Sequence, residues 1–87
     1  MEEYVIYILY SVHSDKSYVG FTNHLLYRIK SHNIFGKGYT AKYRPWIVVH
    51  VEFYSSKEAA MQREKYYKGG RGHYEKEELI ASYLKLQ

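Results

Sequence analysis

From Tyr4 to Tyr10 the chain reads Tyr-Val-Ile-Tyr-Ile-Leu-Tyr without one charged residue. β-Branched and aromatic side chains favour extended backbone, and a strand that is apolar on both sides must be covered on both faces. With 87 residues in all, a second hydrophobic core would bury too little apolar area to repay the entropy of ordering its chain. The expectation is one domain, residues 1–87, built around this strand.

The rest of the chain supplies what such a strand needs. Ser11 to Lys16 is turn-like, and Ser17 to Gly20 reads as a short hairpin partner. Asn23 offers an N-cap for a helix through Leu25, Leu26 and Ile29 to about Asn33. Ile34 to Arg44 carries two glycines and three basic residues with no period, which predicts a loop closed by Pro45. In Trp46–Tyr54 the odd positions Ile47, Val49, Val51 and Phe53 are apolar and the even ones include His50 and Glu52, so a half-buried third strand with one polar face is expected. Ser55 or Ser56 can cap a helix from Lys57 to about Lys68, stopped by Gly69-Gly70. Gly69-Gly70-Arg71-Gly72 then reads as a solvated loop before a last amphipathic helix, Glu75 to Leu86. The order β-β-α-β-α-α gives an α+β class: a small three-stranded, mainly antiparallel sheet flanked by helices.

Composition narrows the function classes. Cysteine is absent, which excludes disulfides and thiolate metal sites. The N-terminus is acidic where a signal peptide would be basic, and no apolar run is long enough to span a bilayer, so a soluble, cytoplasmic protein without membrane partners is expected. A formal charge of +4 and a pI near 9.2 favour an acidic partner such as nucleic acid without requiring one. The 12 tyrosines suit both a core and a nucleotide-facing surface, and packing should account for most of them. The oligomeric state is not encoded in any of these features.

Several side chains stand where packing alone would not put them. Successive helix residues advance by about 100°, so Glu64 lies within about 40° of Ala60, on the apolar face of its helix. A carboxylate there needs a cation, a hydrogen-bond network or a metal beside it, and from helix geometry alone a structural ion pair is the commoner explanation and metal ligation the rarer one. Arg28 and His32 lie one turn apart on the edge of the Leu25/Ile29 stripe, where an arginine can grip phosphate or simply cover apolar surface with its stem. Tyr7 and Tyr18 sit inside strands, where tyrosine usually packs; Gly20 lets the chain turn or a ligand approach the backbone. His13, His24, His50 and His73 show no zinc-binding spacing, and no Walker loop, nucleophile elbow or dinucleotide fingerprint is present.

Taken in order, Val5-Ile6-Tyr7, Tyr18-Val19-Gly20, Arg28 with His32, and Glu64 within Arg63-Glu64-Lys65 resemble the motifs of the GIY-YIG nuclease superfamily. Tyr18 to Asn23 and Arg28 to Asn33 look like its small single-domain bacterial branch, related to the catalytic domain of the bacterial excision-repair nuclease. The resemblance implies a metal-dependent endonuclease that hydrolyses phosphodiester bonds in DNA, with RNA the other candidate, acting on nicked, flapped or branched forms linked to repair. Tyr7 would be general base or its relay, Tyr18 would position water and phosphate, Arg28 would offset developing charge, and His32 would assist by hydrogen bonding or proton transfer. Glu64 would be the sole protein ligand of Mg²⁺ or Mn²⁺, which keeps waters and takes phosphate oxygens as further ligands. Lys37, Lys42 and Arg44 would hold the nucleic-acid backbone. The first glycine of the name motif is Val5 here, and an asparagine found downstream of the glutamate in many members has no clear match. The competing expectation is a non-catalytic nucleic-acid-binding module, or a nuclease subunit that needs a partner.

Overall fold

The computed structural model describes residues 3–35 and 38–86. The apolar run forms β1 (Tyr4–Ser11), the middle strand of a three-stranded antiparallel sheet with β2 (Lys16–Thr22) on one side and β3 (Ile47–Tyr54) on the other. β1 is buried on both faces, as its composition requires. Ile6 and Ile8 point into a cluster with Val19, Ala60, Tyr67 and Ile80, while Tyr7 and Leu9 join Trp46 on the opposite face. The first cluster is covered by α3 (Lys57–Tyr67) and α4 (Gly70–Lys85). Over the second lie α1 (Leu25–Lys30), the wider π-helical turn Ser31–Phe35 that continues it, and α2 (Tyr39–Lys42), a single helical turn. The α+β class and the expected order are therefore observed, with α2 inserted before β3. Among the described residues no helix is long and apolar enough to cross a membrane.

Four local expectations are corrected. The first concerns residues 34–44: they are not wholly loop, because Trp46 is buried and its indole N–H donates to the Thr40 carbonyl at 2.6 Å, which ties a helical turn to the start of β3. Second, Asn23 does not cap α1; the Thr22 hydroxyl accepts from the His24 N–H at 3.0 Å instead. Ser56, by contrast, does cap α3, accepting from the Ala59 N–H at 3.2 Å. Third, α4 begins at Gly70, not Glu75, and Gly69-Gly70-Arg71-Gly72 is the junction between two packed helices. A Cβ on Gly72 would stand 1.8 Å from the Tyr66 carbonyl oxygen, so glycine there permits a close helix approach.

The fourth concerns β3. Its register against β1 shifts between Ile8 and Leu9, and a bulge breaks the alternation of a strand's faces. Val49 therefore packs with the Ile6/Ile8 cluster, whereas Val48 and Val51 join the Tyr7 cluster, and Phe53 is largely exposed. The polar residues are not turned to water either. Glu52 accepts from Arg63 Nε at 2.8 Å, from the Tyr54 hydroxyl at 2.7 Å and from the Tyr67 hydroxyl, with His50 Nε2 at 2.8 Å. Arg63 reaches on to Glu75 at 3.5 Å and lies over the rings of Tyr66 and Tyr67. This network fastens β3, α3 and α4 together. Burial pushes the Glu52 carboxyl up, but the hydrogen bonds from Arg63, Tyr67, Tyr54 and His50 outweigh it and hold the group at about 2.

Candidate functional site

The site is organised by a cross-strand pair. Tyr7 in β1 stands opposite Gly20 in β2, and the fully buried Tyr7 ring leans over the space a side chain would take: a Cβ on Gly20 would lie 2.4 Å from the Tyr7 hydroxyl oxygen. The glycine thus admits a neighbouring tyrosine, where the sequence suggested a turn or an approaching ligand. Tyr18, two residues earlier on the same face of β2, sits with its ring centroid 6.2 Å from that of Tyr7. His32 completes the group, 5.6 Å from the Tyr7 ring and 4.9 Å from the Tyr18 ring, with Nε2 2.8 Å from the Tyr7 hydroxyl.

Arg28 and His32 come from the α1 face that meets the sheet. Arg28 stands close enough to Tyr7 and Tyr18 for its charge and theirs to be mutually felt, which raises its own pKa. His32 lies in the π-helical turn, a wider coil that often marks functional positions because it re-aims side chains. That turn is held from outside by Arg44, whose guanidinium donates to the His32 carbonyl at 2.6 Å and the Ser31 carbonyl at 3.3 Å.

Electrostatics give these groups defined states. Burial pushes the Tyr7 phenol up to about 12, against the opposing pull of the Arg28 guanidinium. Burial also lowers His32, reinforced by the charges of Arg28 and Arg44. At neutral pH Tyr7 is a phenol and His32 a neutral imidazole. The 2.8 Å contact between the Tyr7 hydroxyl and His32 Nε2 is made by the phenol proton when the imidazole proton is on Nδ1 and by Nε2–H in the other tautomer. That buried Nδ1 has no hydrogen-bond partner among the described residues.

Glu64 approaches from α3. Its charge is felt at the Tyr7 hydroxyl, and its side chain, 23% exposed, pairs with Lys68 at 3.3 Å. The Lys68 ammonium lies 5.9 Å from the Tyr18 ring centroid. Both explanations that the sequence left open for Glu64 therefore meet in one place: it has an ion-pair partner, and it borders the tyrosine cleft. Among the described residues no group of three or more His, Asp and Glu forms a ready-made metal cage. Glu64 would act as a single carboxylate ligand, a donor that suits a hard ion whose remaining positions go to water and phosphate oxygens.

The five principal residues thus come together, and the basic ones divide. Lys42 stands with its ammonium 5.4 Å from the Tyr43 ring. Arg44 serves as the strut already described, and Lys37 lies outside the described residues. Sequence reasoning missed Lys16, its ammonium 5.6 Å from the Tyr43 ring centroid, and Tyr39, whose ring lies 6.4 Å from Tyr18 and 6.0 Å from Trp46. Tyr39 is 48% exposed, and its hydroxyl donates to the Ser17 carbonyl at 3.3 Å. Lys68 was also missed, although its place one turn after Glu64 is the spacing of a helical ion pair.

The model of the GIY-YIG catalytic domain matches residues 3–78, a span that includes every member of the cluster. The chain belongs to the GIY-YIG family. This is a nuclease family. A UPF0213 protein of Bacillus cereus is 48% identical over 58 residues, covering 63% of this chain and 59% of the relative. The aligned part thus spans little more than half the length of that relative. A UPF0213 protein of Staphylococcus haemolyticus is 39% identical over 66 residues, covering 74% of this chain and 78% of the relative. The solution NMR structure of a UPF0213 protein from Bacillus halodurans superposes with a TM-score of 0.54 at 28% identity, covering 91% of this chain and 83% of that one. The GIY-YIG match thus fits the sheet order seen here and explains the order of the motifs along the chain.

Proposed function

We propose that this GIY-YIG domain is an endonuclease that hydrolyses phosphodiester bonds in DNA with the help of one divalent ion, Mg²⁺ or Mn²⁺, held by Glu64. The observation that carries this reading is the buried hydroxyl of Tyr7, 2.8 Å from Nε2 of a neutral His32, at which the charges of both Arg28 and Glu64 are felt. Bound to Glu64, the ion would supply Lewis acidity at a phosphate oxygen. The protein's own residues account for the rest. Once substrate entry admits a water to the buried Tyr7 oxygen, that water can lose its proton to Tyr7 as Tyr7 passes its own to His32 Nε2, so a phenol held near 12 works as a relay without first ionising. Arg28 presents a planar fork to the non-bridging phosphate oxygens, and Tyr18 holds the same phosphate from the β2 side. Lys42 and Lys16 would meet the flanking backbone, giving little sequence selectivity and strong salt dependence.

Incubation with single-stranded, duplex, nicked, flapped and branched DNA, and with RNA, in Mg²⁺, Mn²⁺ or chelator tests the proposal. Metal-dependent cleavage that falls by about 10²–10⁴-fold in Tyr7→Phe and is lost in Glu64→Gln is expected. Cleavage that survives Glu64→Gln refutes the metal assignment. The Glu64–Lys68 ion pair is what favours the second reading, a binding module, and binding without cleavage in any metal would establish it.

A further inference from the structure

We propose that Lys68 is a resident counter-cation of the site, a positioning residue whose ammonium holds the Glu64 carboxylate until a divalent ion displaces it, so that Lys68 sets the protein's metal affinity. This rests on the reading of Glu64 as the metal-holding carboxylate. The geometry is specific. Lys68 follows Glu64 by one helical turn, with the acid on the N-terminal side, the orientation in which such pairs are favourable. As the C-cap of α3 it is fixed by its backbone, its N–H donating to the Glu64 and Lys65 carbonyls at 3.2 Å. Its side chain, however, is 51% exposed and reaches over the Tyr18 ring. A fixed anchor with a free tip lets the ammonium leave the carboxylate without leaving the cleft.

A dication on the same carboxylate meets the ammonium at a cost. A charge of +2 beside an ammonium at this separation is repulsive, and an ion that takes Oε2 must also replace the Lys68 contact there. Removing the ammonium relieves both terms. For a half-exposed pair screened by water, a gain of about three- to tenfold in metal affinity follows. Once displaced, the ammonium lies where a phosphate bound to Arg28 and Tyr18 would meet it.

The test is Mn²⁺ binding to the full chain, by calorimetry and by loss of the free-ion electron spin resonance signal, with no nucleic acid present. Lys68→Gln should bind Mn²⁺ about three- to tenfold more tightly than the parent, and Lys68→Arg, which keeps the charge, should stay within about twofold of it. Glu64→Gln, alone or combined with Lys68→Gln, should lose the site. A purely structural Lys68 would move the thermal melt but not the Mn²⁺ isotherm. If Glu64→Gln loses Mn²⁺ while Lys68→Gln leaves the affinity unchanged or weaker, the counter-cation role is wrong and the metal reading stands. If Glu64→Gln binds Mn²⁺ as the parent does, both fail together.

Discussion

Replacing Gly20 by alanine probes the pair on which the site is built. The added Cβ would stand 2.4 Å from the Tyr7 oxygen, 2.6 Å from its Cζ and 3.0 Å from Tyr18 Cε1, where ordinary contact needs 3.4–4 Å. The Tyr7 ring must therefore move by about 1 Å, taking the deficit as the minimum displacement. A tyrosine tip could swing away cheaply on a surface, but this ring is fully buried and its hydroxyl is tied to His32 at 2.8 Å. Overpacking of this kind costs about 1–3 kcal/mol, and a buried hydroxyl pulled from its partners costs about 1–3 kcal/mol more. Alanine recovers roughly 0.5–1 kcal/mol of strand preference, so a net loss of about 1–5 kcal/mol is expected. Catalysis should fall more than folding does, since a 1 Å misplacement of a reacting group costs on the order of 10²-fold. Urea unfolding gives the first quantity, and cleavage rates at temperatures where the variant remains folded give the second. Adding Tyr7→Phe removes the closest clashing atom and should return part of the stability but none of the activity. Wild-type stability together with a wild-type rate in Gly20→Ala would falsify the claim that Gly20 exists to admit Tyr7.

Three further outcomes follow from the same coordinates. Glu52 titrates at about 2 in the folded protein against an ordinary 4.5, so its contribution of about 3 kcal/mol is complete above pH 4.5 and is lost as pH falls towards 2; the acid limb of a stability-against-pH curve should flatten in Glu52→Gln, and an unchanged limb refutes the assignment. Gly72→Ala drives a Cβ into the backbone oxygen of Tyr66, which cannot rotate away, so a loss of about 3 kcal/mol or more is expected from thermal or urea unfolding. Because His32 is held below the ordinary 6.5, the acid limb of the cleavage rate should fall below pH 6.5, and a limb at or above that value would show that His32 is not the proton acceptor.

Much of the fold was legible because its signals are local. An apolar run with side chains on both faces is a buried strand whatever surrounds it, and Ser56 before Lys57 is a helix start by its own chemistry. The alternation in β3 was a local signal that misled: the bulge that places Val49 opposite to Val51 comes from pairing with β1, which no pattern within 47–54 contains. Likewise the glycines of 69–72 have the composition of a solvated loop, and the need for Gly72 appears only when α4 is laid against α3.

The site divides along the same line. Sequence alone singled out Tyr7, Tyr18, Arg28, His32 and Glu64 as candidates, because they stand in an order that resembles one family of nucleases, and it left the state of each open. Tertiary structure decided that Arg44 supports the turn bearing His32, that Lys68 occupies Glu64, and that Tyr7 stays a phenol while His32 stays neutral. The reason is physical: identity and helical spacing are written along the chain, whereas desolvation and charge depend on which distant segments pack around a group, and those contacts exist only once the sheet and its two helical layers have closed.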